Sequence, residues 1–293
     1  MNSRTGQDSA GLRARAEAAS AGLPALMLSA ERLAASLTAG AHGQRRAGTG
    51  EDFWQYRPAA AGDTARSIDW RRSARSDGQF VRDREAQVAQ SAVLWVSAAA
   101  GMEFAGGPDR ARKRDRCDLL ALAVALALLA GGERVALAGQ PPRPGRLQAD
   151  RIAEALVSRI PLDLDDDVPP AAALRPGQRV VLFDDFLGDP APLLAYLDRA
   201  AGLWVQGALM QVLDPDEEGF PYGGAVLFRS AAGALRHDTR DAGGLRAAYL
   251  ARLAERRELL SRAALAAGWH FGTHDTASPP AQAALWLWSV LEG

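Results

Sequence analysis

Residues 179–213 read RVVLFDDFLGDPAPLLAYLDRAAGLWVQGALMQVL, and this stretch decides the fold. Arg179 to Asp184 is a near-continuous apolar run, the pattern of a strand covered on both faces of a sheet. Pro190 opens a helical segment to Ala201, because proline suits a first helical turn. Leu203 to Leu213 follows as a second strand. Strand, helix and strand in succession predict a right-handed crossover between parallel strands.

The alternation extends in both directions. Upstream, Ser91 to Val96 reads as a central strand, Arg110 to Ala130 as a helix, Glu133 to Ala138 as a strand and Leu147 to Ile160 as a helix. In that last helix Leu147, Ile152, Leu156, Val157 and Ile160 fit one apolar face. Asp163 to Pro170 is an acidic loop, expected to be solvated at Asp165 to Asp167. Downstream, Ala225 to Phe228 and Ala234 to His237 suggest a hairpin around Gly233, Leu245 to Ala267 a long helix, Gly268 to Gly272 a short strand and Pro280 to Leu291 a closing helix. The predicted class is α/β, a doubly wound, mainly parallel sheet. Ligands of such folds bind beyond the carboxyl ends of the strands, so the segments to inspect are Ser97 to Met102, Gly139 to Gly145, Asp184 to Gly188 and Leu213 to Glu218.

Three regions are expected along the chain. Residues 1–42 are an N-terminal helical region, with Leu26, Ala30, Leu33 and Leu37 on one stripe. Residues 43–86 are an irregular Arg/Asp-rich segment packed on the main domain, and residues 87–293 are the α/β domain. The chain carries 34 basic and 35 acidic residues, a balance unlike that of a protein built to coat nucleic acid. Its single cysteine, Cys117, excludes an intramolecular disulfide and points to a reducing, cytoplasmic setting. The longest apolar run, Leu119 to Ala130, is shorter than the roughly 20 residues a spanning helix needs, so no membrane insertion is expected. Lys113 is the only lysine.

Residues 43–86 hold nine arginines and seven acids in interleaved order, which suits charge-assisted pairing rather than a basic patch. Within them stand Gly48, Gly50, Glu51, Phe53, Arg57, Gly62, Asp63, Arg66, Ile68, Asp69, Trp70, Ala74 and Arg75. In that order they resemble the signature of the domain-of-unknown-function 58 family, and weaker likeness runs on through VLFDDFL, VLDPDEEGFP and THDTASPP. The resemblance implies a sheet of von Willebrand factor A type and a non-enzymatic adaptor acting with a MoxR-type AAA+ ATPase. Arg57, Gly62, Asp63, Arg66, Asp69, Trp70, Arg71 and Arg75 are then the signature and the candidate partner-binding residues. The competing reading makes the same charges internal salt bridges, with Trp70 as a packed anchor.

Von Willebrand factor A domains hold a divalent metal with an Asp-x-Ser-x-Ser loop after the first strand, a Thr and a further Asp. By register with Met102, the loop residues here are Ser97, Ala99 and Gly101, and only Asp185 matches the third loop. The metal site is therefore expected to be degenerate, with Asp185 capping a turn, and no cofactor is expected. Gly48-Thr49-Gly50 lacks the remaining residues of a phosphate loop. Two enzymatic or metal-dependent alternatives remain at this point. Cys117, after Lys113, Arg114 and Arg116, could have a lowered pKa and act with His237 or His270 and an Asp as a thiol hydrolase. Asp185 could anchor a metal-dependent adhesion-type binder. His270 and His274 stand four apart, but Gly272 between them argues against a helical ligand pair.

Overall fold

The computed structural model describes residues 23–37, 53–58, 70–73, 75, 80–84, 91–162, 167, 169–230, 232 and 236–292. The chain divides into two compact units, one of Met1–Ala39 with Gln90–Gly293 and one of Gly40–Ala89.

The larger unit is built on five parallel strands in the order β4-β3-β5-β6-β9. These are β3 (Ser91–Val96), β4 (Arg134–Leu137), β5 (Arg179–Asp184), β6 (Gln206–Leu213) and β9 (His270–Asp275). The helices are α1 (23–37), α3 (Lys113–Ala130), α4 (Arg146–Ser158), α5 (Ala191–Gly202), α6 (Pro215–Gly219), α7 (Arg246–Ala266) and α8 (Pro280–Glu292). A two-stranded hairpin of β7 (Val226–Arg229) and β8 (Arg236–Thr239) lies between α6 and α7 in sequence. The expected doubly wound α/β sheet is present, and α6 is an element that the sequence reading had not placed.

Both faces of the sheet are covered, and strand alternation sorts the side chains between them. Leu94, Val96, Val181, Phe183, Ala208 and Met210 pack with α1, α3, α4 and α8. Val93, Trp95, Val180, Leu182 and Leu209 pack with α5 and α7. This explains the unbroken apolar runs of β3 and β5. The apolar part of α3 is buried nearly all round, because it touches β3, β4 and β6 and is flanked by α4 and α8. No helix among the described residues is long and apolar enough to cross a membrane.

The apolar face expected of α4 is partly wrong. Ile152 and Leu156 are buried, but Leu147 is 72% and Ile160 60% exposed. Gln148, Ala149 and Ala153 take the inner positions, and the Gln148 amide donates to the Val135 carbonyl at 3.0 Å. Small residues and one satisfied amide let the helix lie close, so a stripe drawn from large apolar residues alone is displaced.

The smaller unit contains β1 (Phe53–Pro58) paired antiparallel with β2 (Phe80–Arg84), and a short helix α2 (Trp70–Ser73).

One close approach in the larger unit is testable. A Cβ at Gly207 in β6 would lie 2.1 Å from the Val180 carbonyl oxygen of β5, which is backbone and cannot swing away. Gly207→Ala is expected to destabilise the protein by about 1–3 kcal/mol, read as a lowered urea midpoint at unchanged slope.

Candidate functional site

The chain leaves β3 toward β4 on one side and β5 toward β6 on the other, so the carboxyl ends of β3 and β5 flank a topological switch point. Lys113, the first residue of α3, reaches into this crevice and is only 1% exposed. Its Nζ donates to Asp185 Oδ2 at 2.6 Å and to Glu217 Oε1 at 2.7 Å. The face of Phe104 lies 5.8 Å from the same nitrogen. Burial by itself lowers the pKa of this ammonium, but Asp185 and Glu217 outweigh it and the pKa stands above the ordinary lysine value. The two carboxylates therefore favour the charged ammonium.

A second ion set secures the first. Arg110 donates through Nη1 to Asp214 Oδ1 at 2.9 Å and forks onto both oxygens of Asp216 at 3.0 Å. Asp214, wholly buried at the end of β6, also accepts from Gly106 N at 3.0 Å, Asp216 N at 2.9 Å and Thr276 Oγ1 at 3.2 Å. It caps α6, and Glu217 completes a capping box by accepting from Asp214 N at 2.9 Å through Oε2. Glu217 thus spends one oxygen on the cap and the other on Lys113. A Cβ at Gly106 would meet Asp214 Oδ1 at 2.4 Å, so only glycine lets the loop approach. Behind α6, Phe220 adopts a left-handed conformation, φ 46°, and its ring lies 4.8 Å from Tyr249 and 5.2 Å from Tyr222. Burial raises the Tyr249 phenol to about 12, so it stays neutral.

The residues present do not fit the divalent metal that the fold type implies. Ala99 and Gly101 offer no side-chain oxygen. The Ser97 hydroxyl accepts from Ala99 N at 3.2 Å and is bonded to Asp184. Asp185 gives Oδ1 to Leu187 N at 3.0 Å, which is the turn cap expected from sequence, and Oδ2 to the ammonium. Burial and the adjacent Asp185 push the Asp184 carboxyl well up, and its Oδ1 is buried without a hydrogen-bond partner. No group of three or more His, Cys, Asp or Glu among the described residues could hold a metal ion. The small cavity beside Asp184 and Asp185 measures about 30 Å³, room for a water rather than a metabolite.

The acidic loop is not merely solvated. Asp167 accepts from Ala98 N at 2.8 Å and so holds the residue that follows Ser97.

Of the signature residues, Arg57 lies in β1 opposite Val81. Gly62, Asp63, Arg66 and Asp69 lie outside the described residues. Trp70 opens α2 and is 57% exposed. Arg71 and Arg75 are exposed beside it in sequence.

The thiol reading fails on burial. Cys117 is fully buried, and desolvation together with Asp118 raises its pKa well above the ordinary value, overriding the lowering by Arg159 and Lys113. No described histidine is hydrogen-bonded to it. His274 instead takes a hydrogen bond from Arg116 Nη1 at 2.9 Å through Nε2, which fixes a neutral ring. Burial first, and Arg116 second, bring its pKa down to about 4.

Residues 55–259 match the family described as Protein of unknown function DUF58. The chain belongs to the DUF58 family. The match begins in β1 and ends within α7, so it includes Trp70, Lys113, Asp185 and Glu217 and leaves β9 and α8 outside. No curated protein matches the chain. Among solved structures, it is similar to the conserved hypothetical protein BatB from Bacteroides thetaiotaomicron at 10% identity and TM-score 0.40, covering 70% of this chain and 100% of that one. An aerotolerance-related membrane protein from Bacteroides fragilis NCTC 9343 matches at 13% identity and TM-score 0.40, covering 70% and 99%. The sheet seen in this DUF58 chain is a parallel, doubly wound α/β arrangement with helices on both faces.

Two measurements check this geometry. Native Cys117 is expected to resist alkylation by iodoacetamide and to react only after unfolding, which mass spectrometry reads directly. His274 has a folded pKa below the roughly 6.5 of an unfolded histidine, so its neutral form is favoured by folding. Its contribution to stability is present above that value and is lost as pH falls toward about 4. The wild type should therefore lose more stability than His274→Gln between those limits, measured by urea unfolding at each pH.

Proposed function

We propose that this protein is a non-catalytic interaction module that acts with a MoxR-type AAA+ ATPase in the assembly or maturation of other proteins. The observation that carries the reading is the crevice at the switch point. The place where a doubly wound fold takes a ligand is filled by the chain's own ions, Lys113 with Asp185 and Glu217, and Arg110 with Asp214 and Asp216. The one thiol is buried and held protonated. The class of partner is the one that the family resemblance of residues 43–86 implies.

This reading puts the docking face on the signature segment. Trp70, more than half exposed, stands next to exposed Arg71, and tryptophan and arginine are the residue types that most often dominate binding energy. An exposed indole on a four-residue helix contributes little to a core and much to a partner pocket.

A Trp70→Ala, Arg71→Ala double variant that keeps the wild-type circular dichroism is expected to bind a MoxR-type ATPase about 30-fold or more weakly in a titrated pull-down. Undiminished binding by the folded variant overturns the docking face. Loss of folding assigns Trp70 to the structure of its own unit instead.

A further inference from the structure

We propose that the Lys113 ammonium is the resident cation of the crevice and holds, from within the chain, the place that a divalent ion takes where a sheet of this type coordinates metal. The disagreement between the implied metal and the residues present is the starting point. The ammonium lies where carboxylates from two different strand ends converge, Asp185 directly after β5 and Glu217 in the α6 turn after β6. The third loop, after β3, closes on the same spot. A Cβ at Gly101 would stand 3.1 Å from Asp185 Oδ2, the oxygen that Lys113 binds.

The chemistry of the donor set agrees. Hard divalent ions need several oxygen ligands at about 2.0–2.6 Å. Here two carboxylate oxygens converge, and the loop positions that would add hydroxyls are Ala99 and Gly101. An ammonium is satisfied by fewer acceptors because it brings its own N–H donors. Its presence also repels a second cation, since the pair would share Asp185 Oδ2 at close range. The residue type matters as well. The chain has 34 basic residues and a single lysine, and that lysine is the buried one. A compact charge at the end of a slender stem fits a point of convergence, whereas the planar arginine fork does not.

One consequence is that the loops at this face keep their arrangement without any divalent ion. The inference concerns the crevice alone, so its failure leaves the Trp70 docking face untouched, and the reverse holds too.

The test compares wild type with Lys113→Ser, which deletes the cation and leaves room and one hydroxyl. Wild type is expected to take up no Mn²⁺ at millimolar concentration by calorimetry and electron paramagnetic resonance, and to melt at the same temperature in EDTA and in Mn²⁺. Lys113→Ser is expected to melt lower in EDTA, to recover in Mn²⁺, and to bind one Mn²⁺ per chain weakly, in the millimolar range. Adding Asp185→Asn should abolish that uptake. If Lys113→Ser folds only with Mn²⁺ present, the proposal stands. Mn²⁺ uptake by wild type that Asp185→Asn removes overturns it. A Lys113→Ser chain that folds and takes up no Mn²⁺, or that folds in neither buffer, overturns it equally.

Discussion

Removing an ammonium from water costs several kcal/mol unless opposite charges and hydrogen bonds replace the lost hydration. Lys113 imposes that requirement on the carboxyl end of the sheet, and the neighbouring loops are arranged to meet it. Asp185 is delivered by the last turn of chain after β5, and Glu217 by the first turn of α6. A helix as short as α6 does not hold itself together, so Glu217 is in place only because Asp214 caps it. Asp214 in turn is buried, and its charge is met by Arg110, two backbone amides and Thr276. One buried charge thereby ties together loops that follow β3, β5, β6 and β9.

The rigidity needed for such a network comes from the sheet beneath it. Each strand is covered on both sides, so its carboxyl end is fixed from two directions. Phe186 marks how firmly. It follows Asp185 with φ 50°, an unfavourable conformation for an aromatic residue, and it is buried while its carbonyl accepts from Arg256 at 3.0 Å. On the far side of α6, the rings of Phe220, Tyr222, Phe228 and Tyr249 pack against one another and back the short helix.

Where sequence reading and structure part, the cause is a neighbour that the sequence does not display. Lys113 and Arg116 suggested an activated thiol, yet Cys117 points into the apolar interior and desolvation prevails. Asp165 to Asp167 read as a solvated run, yet Asp167 meets the backbone beyond β3, sixty-nine residues away in the chain. Leu147 and Ile160 matched a helical stripe, but α4 turns its small residues inward because close approach to α3 rewards them.

The sequence by itself determined the parallel sheet, the order of its strands and of every helix between them except α6, and the search for a site at Ser97 to Met102, Asp184 to Gly188 and Leu213 to Glu218. Periodicity and apolar runs are local properties, and local properties set which element forms and which end faces the crevice. At Ser97, Ala99 and Gly101 the sequence shows one hydroxyl and no carboxylate. Only the tertiary structure decided that an ammonium stands in the crevice. Lys113 lies 72 residues from Asp185 and 104 from Glu217 in the chain, and no spacing rule links them. Its role arises when the start of α3 and the chain beyond β5 and β6 bring a lysine and two carboxylates together, where a buried charge must find its partners or not be buried at all.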